Sequence, residues 1–517
     1  MVKSILLLIF CSLAMNVMAQ NIEINTNHNP NEPSIMMNYK NPAKLIAASN
    51  LNNYFISNDT GRTWTSHLLS SPLGVYGDPT IIVDTSGHFY YFHLSNPPSG
   101  NWIDRIVCQK TTDHGTTWSS GSYAGLNGIK AQDKQWCCVD RRNNNLYLTW
   151  TQFDKYNSQS PLHYSNIMFS KSTDSGLSWS DAKQINKMSG DCVDSDNTVE
   201  GAVPAVGPNG EIYVAWAGPN GIVFNKSNDQ GETWLDEETK IDPMPTGWDY
   251  NIPGIMRGNG LPITSCDLSN SPHRGTIYVN WSDQRNGSND TDIWLVKSKD
   301  GGQTWSAPIR VNDDAPGKQQ FFTWMAIDQT SGFLYFVFYD RRNYDDTHTD
   351  VYMAISKDGG NTFTNFRISE TPFVPDDRIF FGDYTNIVAH NGIVRPIWTR
   401  LHNGVLSVWT DITPIDKLVS LSEVDSTHSE MNFKNYPNPA SEVSYVSFKL
   451  KKDTKVRLDL INLEGQTLKT LIDDQTRGYG TYIETIQLSS LGVSSGTYLL
   501  KLTLDGFTKT EQQVVVK

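Results

Sequence analysis

The octet SKDGGQTW (298–305) decides the fold, because close variants of it occur at six places in the chain. The six copies are SNDTGRTW (57–64), TTDHGTTW (111–118), STDSGLSW (172–179), SNDQGETW (227–234), SKDGGQTW (298–305) and SKDGGNTF (356–363). Consecutive copies begin about 55 to 70 residues apart, and β patterning continues between them. A period of this length predicts a repeat architecture.

One repeat can be followed strand by strand before the second octet. An apolar strand at 79–83 is followed by a Ser-Gly turn, a second strand at 88–93, a variable loop and a third strand at 105–110. The octet and a short fourth strand complete the unit. Four antiparallel strands in each repeat predict the blade of a β-propeller, and therefore an all-β fold.

The innermost strands give the number of blades. They begin at seven places, namely Glu32, Asp78, Lys134, Gly201, Leu261, Phe322 and Asp383. The seventh unit has three strands and no octet, so we expect residues 22–26 to supply its outer strand and close the ring. The sequence therefore predicts a seven-bladed propeller over residues 20–415, with six blades as the alternative count.

The octets resemble the Asp-box, or bacterial neuraminidase repeat, with the pattern S-x-D-x-G-x-T-W. In this motif the aspartate accepts hydrogen bonds from nearby backbone N–H groups, glycine adopts a positive φ, and tryptophan packs between blades. Six such motifs spread around a ring do not suit a catalytic group, which is needed in one place. We interpret the octets as structural turns between the third and fourth strands.

The two ends of the chain indicate export. Residues 1–19 combine Lys3, an apolar run at 5–13 and small residues before the end, which is the pattern of a signal peptide too short to span a membrane. No later segment is long and apolar enough to be a transmembrane segment. Residues 416–432 are polar and read as a linker, and 433–517 alternate as the strands of a small β-sandwich do.

This C-terminal β-sandwich resembles the sorting domain of type IX secretion substrates. The resemblance rests on Tyr-Pro-Asn-Pro at 436–439, Leu-Glu-Gly-Gln at 463–466, Gly-Thr-Tyr at 496–498 and the terminal Lys517. It implies recognition by the type IX secretion machinery, passage across an outer membrane, and release or attachment at the cell surface.

Composition limits the ligands. The net charge of −13 and the pI near 5.3 disfavour nucleic acid as a partner. The 15 tryptophans and 22 tyrosines suit both a β core and the stacking of sugars. The five cysteines beyond the signal peptide form no CxxC pattern, and no DxDxDG loop occurs, so we predict no metal site and no cofactor. We expect a monomer.

We expect the functional site on the face opposite the octet turns, where the long loops lie, at the mouth of the central channel. Polar residues at the starts of the inner strands are Glu32, Asp78, Asp133, Lys134, Glu200, Asp383 and Tyr384. Converging carboxyl groups can supply one acid with a raised pKa and one ionised partner. Further candidates for ligand contact are the cations Arg257, Arg378 and Arg400 and the possible bases His93 and His163.

Six Asp-boxes on an exported propeller resemble the sialidase superfamily. The resemblance implies Tyr384 in GDYTNI as nucleophile and Glu200 in VEGAVPAV as the carboxylate that activates it. The chain departs from the family in the first blade, where NEPSI with Glu32 replaces the Phe/Tyr-Arg-Ile-Pro motif whose arginine grips the sialic acid carboxylate. A second arginine is also missing where the strand after Glu200 ends in AWAG.

These departures lead to three functional hypotheses. The first is a sialidase-like glycoside hydrolase that is not a true sialidase and that uses carboxylates at the propeller mouth. Its expected catalytic residues are Tyr384, Glu200, Asp78 and Asp133. The second is a polysaccharide lyase on a seven-bladed propeller, with a histidine or tyrosine base. The third is a non-catalytic, adhesive glycan-binding propeller. The sequence alone leaves the first and third open.

Overall fold

The computed structural model describes residues 19–418, 433–450, 453–463, 465–504 and 507–517. The chain divides into two compact units, with the boundary between Ile415 and Asp416. The predicted signal peptide and nearly all of the predicted linker at 416–432 lie outside the described residues, so both stay predictions.

Strands dominate the N-terminal unit. After β1 (Asn21–Asn25), the first three sheets are β2 (Ser34–Met37), β3 (Leu45–Ser49), β4 (Asn53–Ser57) and β5 (Thr65–Leu68); β6 (Thr80–Val83), β7 (Phe89–Leu94), β8 (Ile106–Thr111) and β9 (Ser122–Ala124); and β10 (Ala131–Val139), β11 (Leu146–Phe153), β12 (Ser165–Ser172) and β13 (Lys183–Gln184). Each runs in chain order from the inner to the outer strand, because every neighbouring pair is antiparallel and joined by a direct connection.

The remaining sheets of this unit follow the same plan. The fourth contains β14 (Glu200–Val206), β15 (Ile212–Gly218), β16 (Gly221–Ser227) and β17 (Thr239–Asp242), and a small ribbon of β18 (Asp249–Tyr250) and β19 (Gly258–Asn259) precedes the fifth. The fifth and sixth contain β20 (Ile263–Cys266), β21 (Ile277–Asp283), β22 (Asp292–Ser298) and β23 (Ile309–Arg310); and β24 (Gln320–Asp328), β25 (Phe333–Asp340), β26 (Asp350–Ser356) and β27 (Thr364–Arg367). The last contains β28 (Asn386–His390), β29 (Ile393–His402), β30 (Val405–Asp411) and the first strand, β1.

Within the described part of this unit there are thus seven four-stranded sheets. Their inner strands contact one another in sequence, and the inner strand of the last sheet contacts that of the first, so the sheets form a closed ring. This arrangement confirms the prediction of an all-β propeller.

The seam of the ring joins the two ends of the propeller chain. β1 pairs antiparallel with β30, so that Asn21 lies opposite Asp411. The backbone N–H of Gln20 extends the seam by donating to Asp411 Oδ1 at 3.0 Å and to Thr413 Oγ1 at 2.8 Å. The expected closing strand is confirmed, one residue earlier than the sequence placed it. Its pairing gives the last sheet four strands, like the other six.

The octets form the turns between the third and fourth strands, as predicted. In the first one, Asp59 Oδ1 accepts the backbone N–H of Thr63 at 2.9 Å and Asp59 Oδ2 accepts its hydroxyl at 2.6 Å. The hydroxyl of Ser57 donates to Asp59 and accepts the N–H of Gly61, whose φ of 87° suits glycine. The side-chain and backbone groups of the motif therefore satisfy one another locally.

Tryptophans of the octets join neighbouring sheets. Trp179 meets Phe92 of the preceding sheet edge-on at 5.7 Å, and Trp234 meets Phe169 at 5.1 Å. The second strands of four sheets add fully buried tryptophans, namely Trp150, Trp216, Trp281 and Trp398. Aromatic burial between sheets thus supplies much of the apolar area that holds the ring together.

The C-terminal unit is a sandwich of two sheets. One contains β31 (Lys434–Tyr436), β32 (Val443–Leu450) and β35 (Gly480–Gln487), and the other contains β33 (Thr454–Ile461), β34 (Thr467–Arg477), β36 (Gly496–Leu504) and β37 (Phe507–Val515), with a short 3₁₀ turn at Leu488–Leu491. Val446 and Phe448 of the first sheet belong to the same buried core as Leu458, Leu500 and Leu502 of the second. The predicted C-terminal β-sandwich is confirmed.

Candidate functional site

A repeated backbone feature stands where the inner strands begin. The backbone angle φ is close to 50° at four residues, a conformation that residues other than glycine rarely adopt. The four are Glu32, Asp78, Lys134 and Phe322. At Lys134 and Phe322 the inner strand also carries a bulge that shifts its pairing register. Bulges redirect side chains, and backbone strain of this kind persists only where the surrounding contacts fix it. The first, second and third sheets thereby bring Glu32, Asp78 and Lys134 together.

Lys134 is the centre of this group. Its ammonium lies 2.7 Å from Asp383 Oδ2, 3.5 Å from Asp78 Oδ2 and 4.0 Å from Glu32 Oε1. Burial lowers the pKa of Lys134, but the nearby carboxylates of Asp383, Asp78 and Glu32 raise it well above its ordinary value. The buried lysine therefore stays charged and holds acids from three other sheets around itself.

Arg257 provides the second positive charge. Its Nε donates to Asp383 Oδ1 at 3.0 Å, its Nη2 contacts Asp383 Oδ2, and its Nη1 donates to Asp194 Oδ2 at 3.0 Å. Burial raises the pKa of Asp383, yet Lys134 and Arg257 together hold it well below its usual range. Asp194 also accepts the hydroxyl of Tyr156 at 2.9 Å. Both cations are thus already paired with carboxylates.

Three other acids at the mouth bind protons more tightly than free carboxyl groups do. Burial is the main cause, and it raises the pKa of Asp133 to about 7, although the neighbouring Lys134 lowers it. Burial also raises the pKa of Glu32 and Glu200 well above the ordinary value, with Asp78 and Asp194 respectively adding to the effect. Among the described residues, Glu32 Oε1, Asp78 Oδ2 and Glu200 Oε1 are buried with no hydrogen-bond partner.

A cavity of about 380 Å³ opens over this cluster. Its charged lining consists of Glu32, Asp78, Asp133, Lys134 and Arg257. Aromatic side chains line it as well, namely Tyr76, Trp102, Tyr156 and Phe380, together with the polar residues His28, Asn29, Asn31 and Asn50. The cavity therefore combines acids in different electrostatic states with apolar ring faces, as sites for small polar ligands do.

Asn50 connects the acids of the first two sheets. Its side-chain Nδ2 donates to Asn31 Oδ1 at 3.0 Å and contacts Glu32 Oε2, and its Oδ1 accepts the backbone N–H of Asp78 at 2.7 Å. One amide thus fixes Glu32 and Asp78 relative to each other, which predefines the geometry of the cavity.

Tyr384, which the family resemblance pairs with Glu200, lies in an aromatic environment. Tyr384 lies against Trp136 and Trp324, with ring centres 5.2 and 6.2 Å away, and lines a second cavity of about 30 Å³ that also touches Lys134. Burial raises the pKa of Tyr384 well above its ordinary value. No hydrogen bond joins Tyr384 to Glu200 within the described ranges, and neither residue lines the larger cavity.

Four of the candidate residues lie away from the cluster. The side chain of His93 is fully buried between Leu94 O and Gln109 Oε1, and burial lowers its pKa to about 4. His163 pairs with the hydroxyl of Ser158 in a surface loop. Neither histidine lines the larger cavity.

The two remaining arginines are engaged elsewhere. Arg378 forms an exposed ion pair with Asp376. Arg400 donates to Thr371 Oγ1 at 2.9 Å and lies over the ring of Trp409. Arg257 is the candidate arginine that the structure places at the cavity.

The sequence did not single out several residues of the site. Asp194 lies in the loop before β14 and Tyr156 in the loop after β11, and neither the charge of the one nor the ring of the other gave a separate signal in the sequence. Trp102 comes from the variable loop of the second repeat, where an aromatic residue in a long polar loop is the signal that could have revealed it.

Metal ligands are not clustered at the site. Across the part of the chain that the structure describes, no three His, Cys, Asp or Glu side chains are arranged to hold a metal ion. The five described cysteines are all unpaired, and none lines the larger cavity.

Comparisons with known proteins find distant solved structures for the chain and a family for its C-terminal unit. The Hadza microbial sialidase Hz136 is 13% identical over 72% of this chain and 74% of its own, with a TM-score of 0.42. The NanB sialidase of Streptococcus pneumoniae is 10% identical over 72% and 84%, with a TM-score of 0.43. The α-L-arabinofuranosidase Arb93A of Fusarium graminearum is 12% identical over 77% and 98%, with a TM-score of 0.43.

No curated protein sequence matches the chain. Among the described residues, no helix combines the length and the apolar character that a membrane span requires. Residues 434–517 match the family described as the secretion system C-terminal sorting domain. The C-terminal unit is therefore a type IX secretion sorting domain, and the chain is secreted or attached at the cell surface.

Proposed function

We propose that this exported propeller is a glycoside hydrolase that cleaves a neutral glycan in the cavity at the channel mouth. The observation that carries the proposal is that two carboxyl groups in different environments, Asp133 and Asp78, line the same cavity. Asp133 is buried, and its pKa is raised to about 7, whereas Asp78 lies 3.5 Å from the ammonium of Lys134. Hydrolysis of a glycosidic bond requires such a pair of acids.

In the proposed reaction, Asp133 gives its proton to the glycosidic oxygen as the bond to the anomeric carbon breaks. Asp78 acts on the opposite side of that carbon, either by attacking it or by taking a proton from the attacking water. The charge of Lys134 stabilises the carboxylate of Asp78 during this step. The stereochemistry of the product distinguishes the two roles, because direct attack retains the anomeric configuration and water attack inverts it.

A neutral substrate follows from the charges around the cavity. Lys134 and Arg257 are each already paired with acids, so neither is free to bind a sugar carboxylate without losing an existing partner. Glu32 stands at the first inner strand, and any negative charge it carries repels an anionic ligand. These contacts support a neutral glycan over sialic acid or a uronate.

The test uses the secreted protein with a panel of arabinan, xylan, galactomannan, a sialoside and polygalacturonate. New reducing ends, free sialic acid and unsaturated uronate are measured in parallel. We expect new reducing ends from a neutral polymer and a loss of about 100-fold or more for Asp133→Asn and Asp78→Asn. Asp345→Asn is the matched control, because Asp345 is exposed and pairs with Lys318 outside the cavity.

Other results would redirect the assignment. Release of sialic acid would contradict the argument from the paired cations, and unsaturated uronate would identify a lyase. Binding of a neutral polymer without cleavage would identify an adhesive propeller. Activity that survives in Asp133→Asn but disappears in Tyr384→Phe and Glu200→Gln would return the chemistry to the tyrosine and glutamate.

A further inference from the structure

Three aromatic rings in mutual contact line the cavity. The ring of Trp102 meets that of Tyr76 at 5.3 Å and that of Tyr156 at 5.5 Å between centres, both edge to face. All three rings line the cavity above the acids. Tyr76 and Trp102 keep 37% and 42% of their surface exposed, although most aromatic side chains of this propeller are buried. We call Tyr76, Trp102 and Tyr156 the aromatic shelf.

The shelf is fixed in place rather than loosely attached. Tyr156 packs against Phe153 at 4.9 Å and donates its hydroxyl to Asp194, which also accepts from Arg257. Ile103, next to Trp102, is fully buried, and its carbonyl accepts the backbone N–H of Gln132 at 2.7 Å. The rings are therefore held at a fixed position relative to the acidic cluster, which reduces the entropy lost when a ligand binds.

The rest of the lining suits hydroxyl groups. His28 and Asn29 are exposed at the cavity, whereas the amides of Asn31 and Asn50, which also line it, bond each other at 3.0 Å. Amides both donate and accept hydrogen bonds, as sugar hydroxyls do. An apolar ring surface together with neutral polar groups matches the two faces of a neutral sugar ring.

We infer that the aromatic shelf binds the sugar rings of a neutral polysaccharide beside the bond that the acids cleave, so that the protein acts on chains rather than on single sugars. The placement of these sugar rings beside a cleaved bond rests on the proposed hydrolase function. Their binding to the shelf does not depend on that function. The shelf extends the recognised part of the ligand beyond the sugar that contacts Asp78 and Asp133. Binding energy from these neighbouring rings then serves to position the scissile bond.

Binding is tested first, in the full secreted chain carrying Asp133→Asn so that no substrate is consumed. Calorimetric titration with arabinan, xylan and galactomannan is compared between this protein and its Trp102→Ala derivative. We expect affinity for the preferred polymer to fall by about tenfold when Trp102 is removed. Trp102→Phe should recover most of the affinity, which shows that a ring is required and that the fold is intact.

The control variant is Tyr123→Ala. Tyr123 is also an exposed aromatic residue, with 44% of its surface accessible, but it lies beside Arg105 and does not line the cavity. Its removal should leave polysaccharide binding unchanged. Equal losses in Tyr123→Ala and Trp102→Ala would overturn the inference, since they would show that any exposed aromatic residue contributes.

Kinetics separate this inference from the proposed function. With active protein, Trp102→Ala should lower kcat/KM for the polymer by about tenfold while leaving an aryl glycoside of the single sugar within about twofold. Cleavage that does not depend on Trp102 would support the hydrolase and overturn the shelf. Binding that depends on Trp102 without any cleavage would support the shelf and overturn the hydrolase. Failure of every neutral polymer to bind would overturn the shelf.

Discussion

The aspartates of the octets and the acids of the channel mouth belong to the same class of residue but hold their protons very differently. In the second octet, the hydroxyl and the backbone N–H of Thr117 donate to Asp113 and lower its pKa to about 2. At the mouth, burial raises the pKa of Asp133 to about 7. The first acid has a full set of donors, whereas the second has lost water without gaining an equivalent set.

The difference indicates where chemistry is possible in a repeat protein. An acid whose oxygens already accept hydrogen bonds within the motif has little capacity to exchange a proton at neutral pH. Such an acid occurs once in each octet. The mouth acids differ from sheet to sheet, and several keep oxygens without partners. Repetition therefore indicates structural carboxylates, and the acids that depart from it are the ones for which we propose a reaction.

The largest effect is expected from Asp383→Asn, which removes the carboxylate shared by Lys134 and Arg257. The buried Lys134 and the half-buried Arg257 would lose their common partner, so we expect the free energy of unfolding to fall by about 3–5 kcal/mol. Denaturant titration followed by tryptophan fluorescence measures it. Asp345→Asn, which breaks an exposed pair, should change stability by less than about 0.5 kcal/mol. Similar values for both variants would contradict the central role of Asp383.

The pH dependence provides the next test. Unfolded Asp133 releases its proton near pH ~3.9. The folded protein keeps it up to about pH 7. Between these values the folded state binds more protons, so this residue makes stability fall as pH rises. Thermal unfolding from pH 4 to 8 should therefore show a shallower decline in Asp133→Asn than in the wild type.

Activity should follow the same group. If Asp133 donates a proton, activity decreases as pH rises through about 7. The residual activity of Asp133→Asn should lack this decrease. An unchanged alkaline limb in the variant would show that another acid is the donor.

A smaller effect is expected from Asp174→Ala in the third octet. Its carboxylate accepts the N–H groups of Leu177 and Ser178 at 3.1 and 3.0 Å, but the turn is exposed and water can replace it. We expect a loss of about 1 kcal/mol in stability and no change in the pH profile of activity. A changed pH profile would contradict the division between structural and reactive acids.

The smallest effect is expected from Tyr384→Phe. The ring would keep its contacts with Trp136 and Trp324, and only a hydroxyl outside the larger cavity would be lost. Activity on a neutral polymer should stay within about twofold of the wild type. A loss as large as that of Asp133→Asn would show that Tyr384 takes part in the reaction.

The sequence predicted the fold well because each repeat is determined by residues that lie close together in the chain. Each octet contains its own donors, acceptors and turn glycine, and short apolar strands such as β6 and β7 precede it. The closing strand at β1 was also predictable, since the seventh unit lacks an octet and a fourth strand. The sandwich followed from alternating strands and short motifs in the last 85 or so residues.

The site was predicted only in part, because it depends on contacts between distant sheets. Counting inner strands placed Glu32, Asp78, Lys134 and Asp383 at one mouth, and the structure brings them together. Nothing local distinguishes Asp194 in its loop or shows that Arg257 would reach it. His93 illustrates the opposite case, since alternation alone does not reveal whether a strand residue turns toward the channel or toward the neighbouring sheet.

The seam between β1 and β30 has a consequence for maturation. Its partners are 390 positions apart in the chain, so their pairing has the highest entropic cost and is expected to form last, after local hairpins have built an open arc. The hydrogen bonds of the seam reach Gln20, directly after the predicted leader. Proteolytic trimming a few residues too far would leave β30 as a bare edge that pairs with other molecules. Removal of the predicted leader before Gln20 would keep every residue that forms the seam.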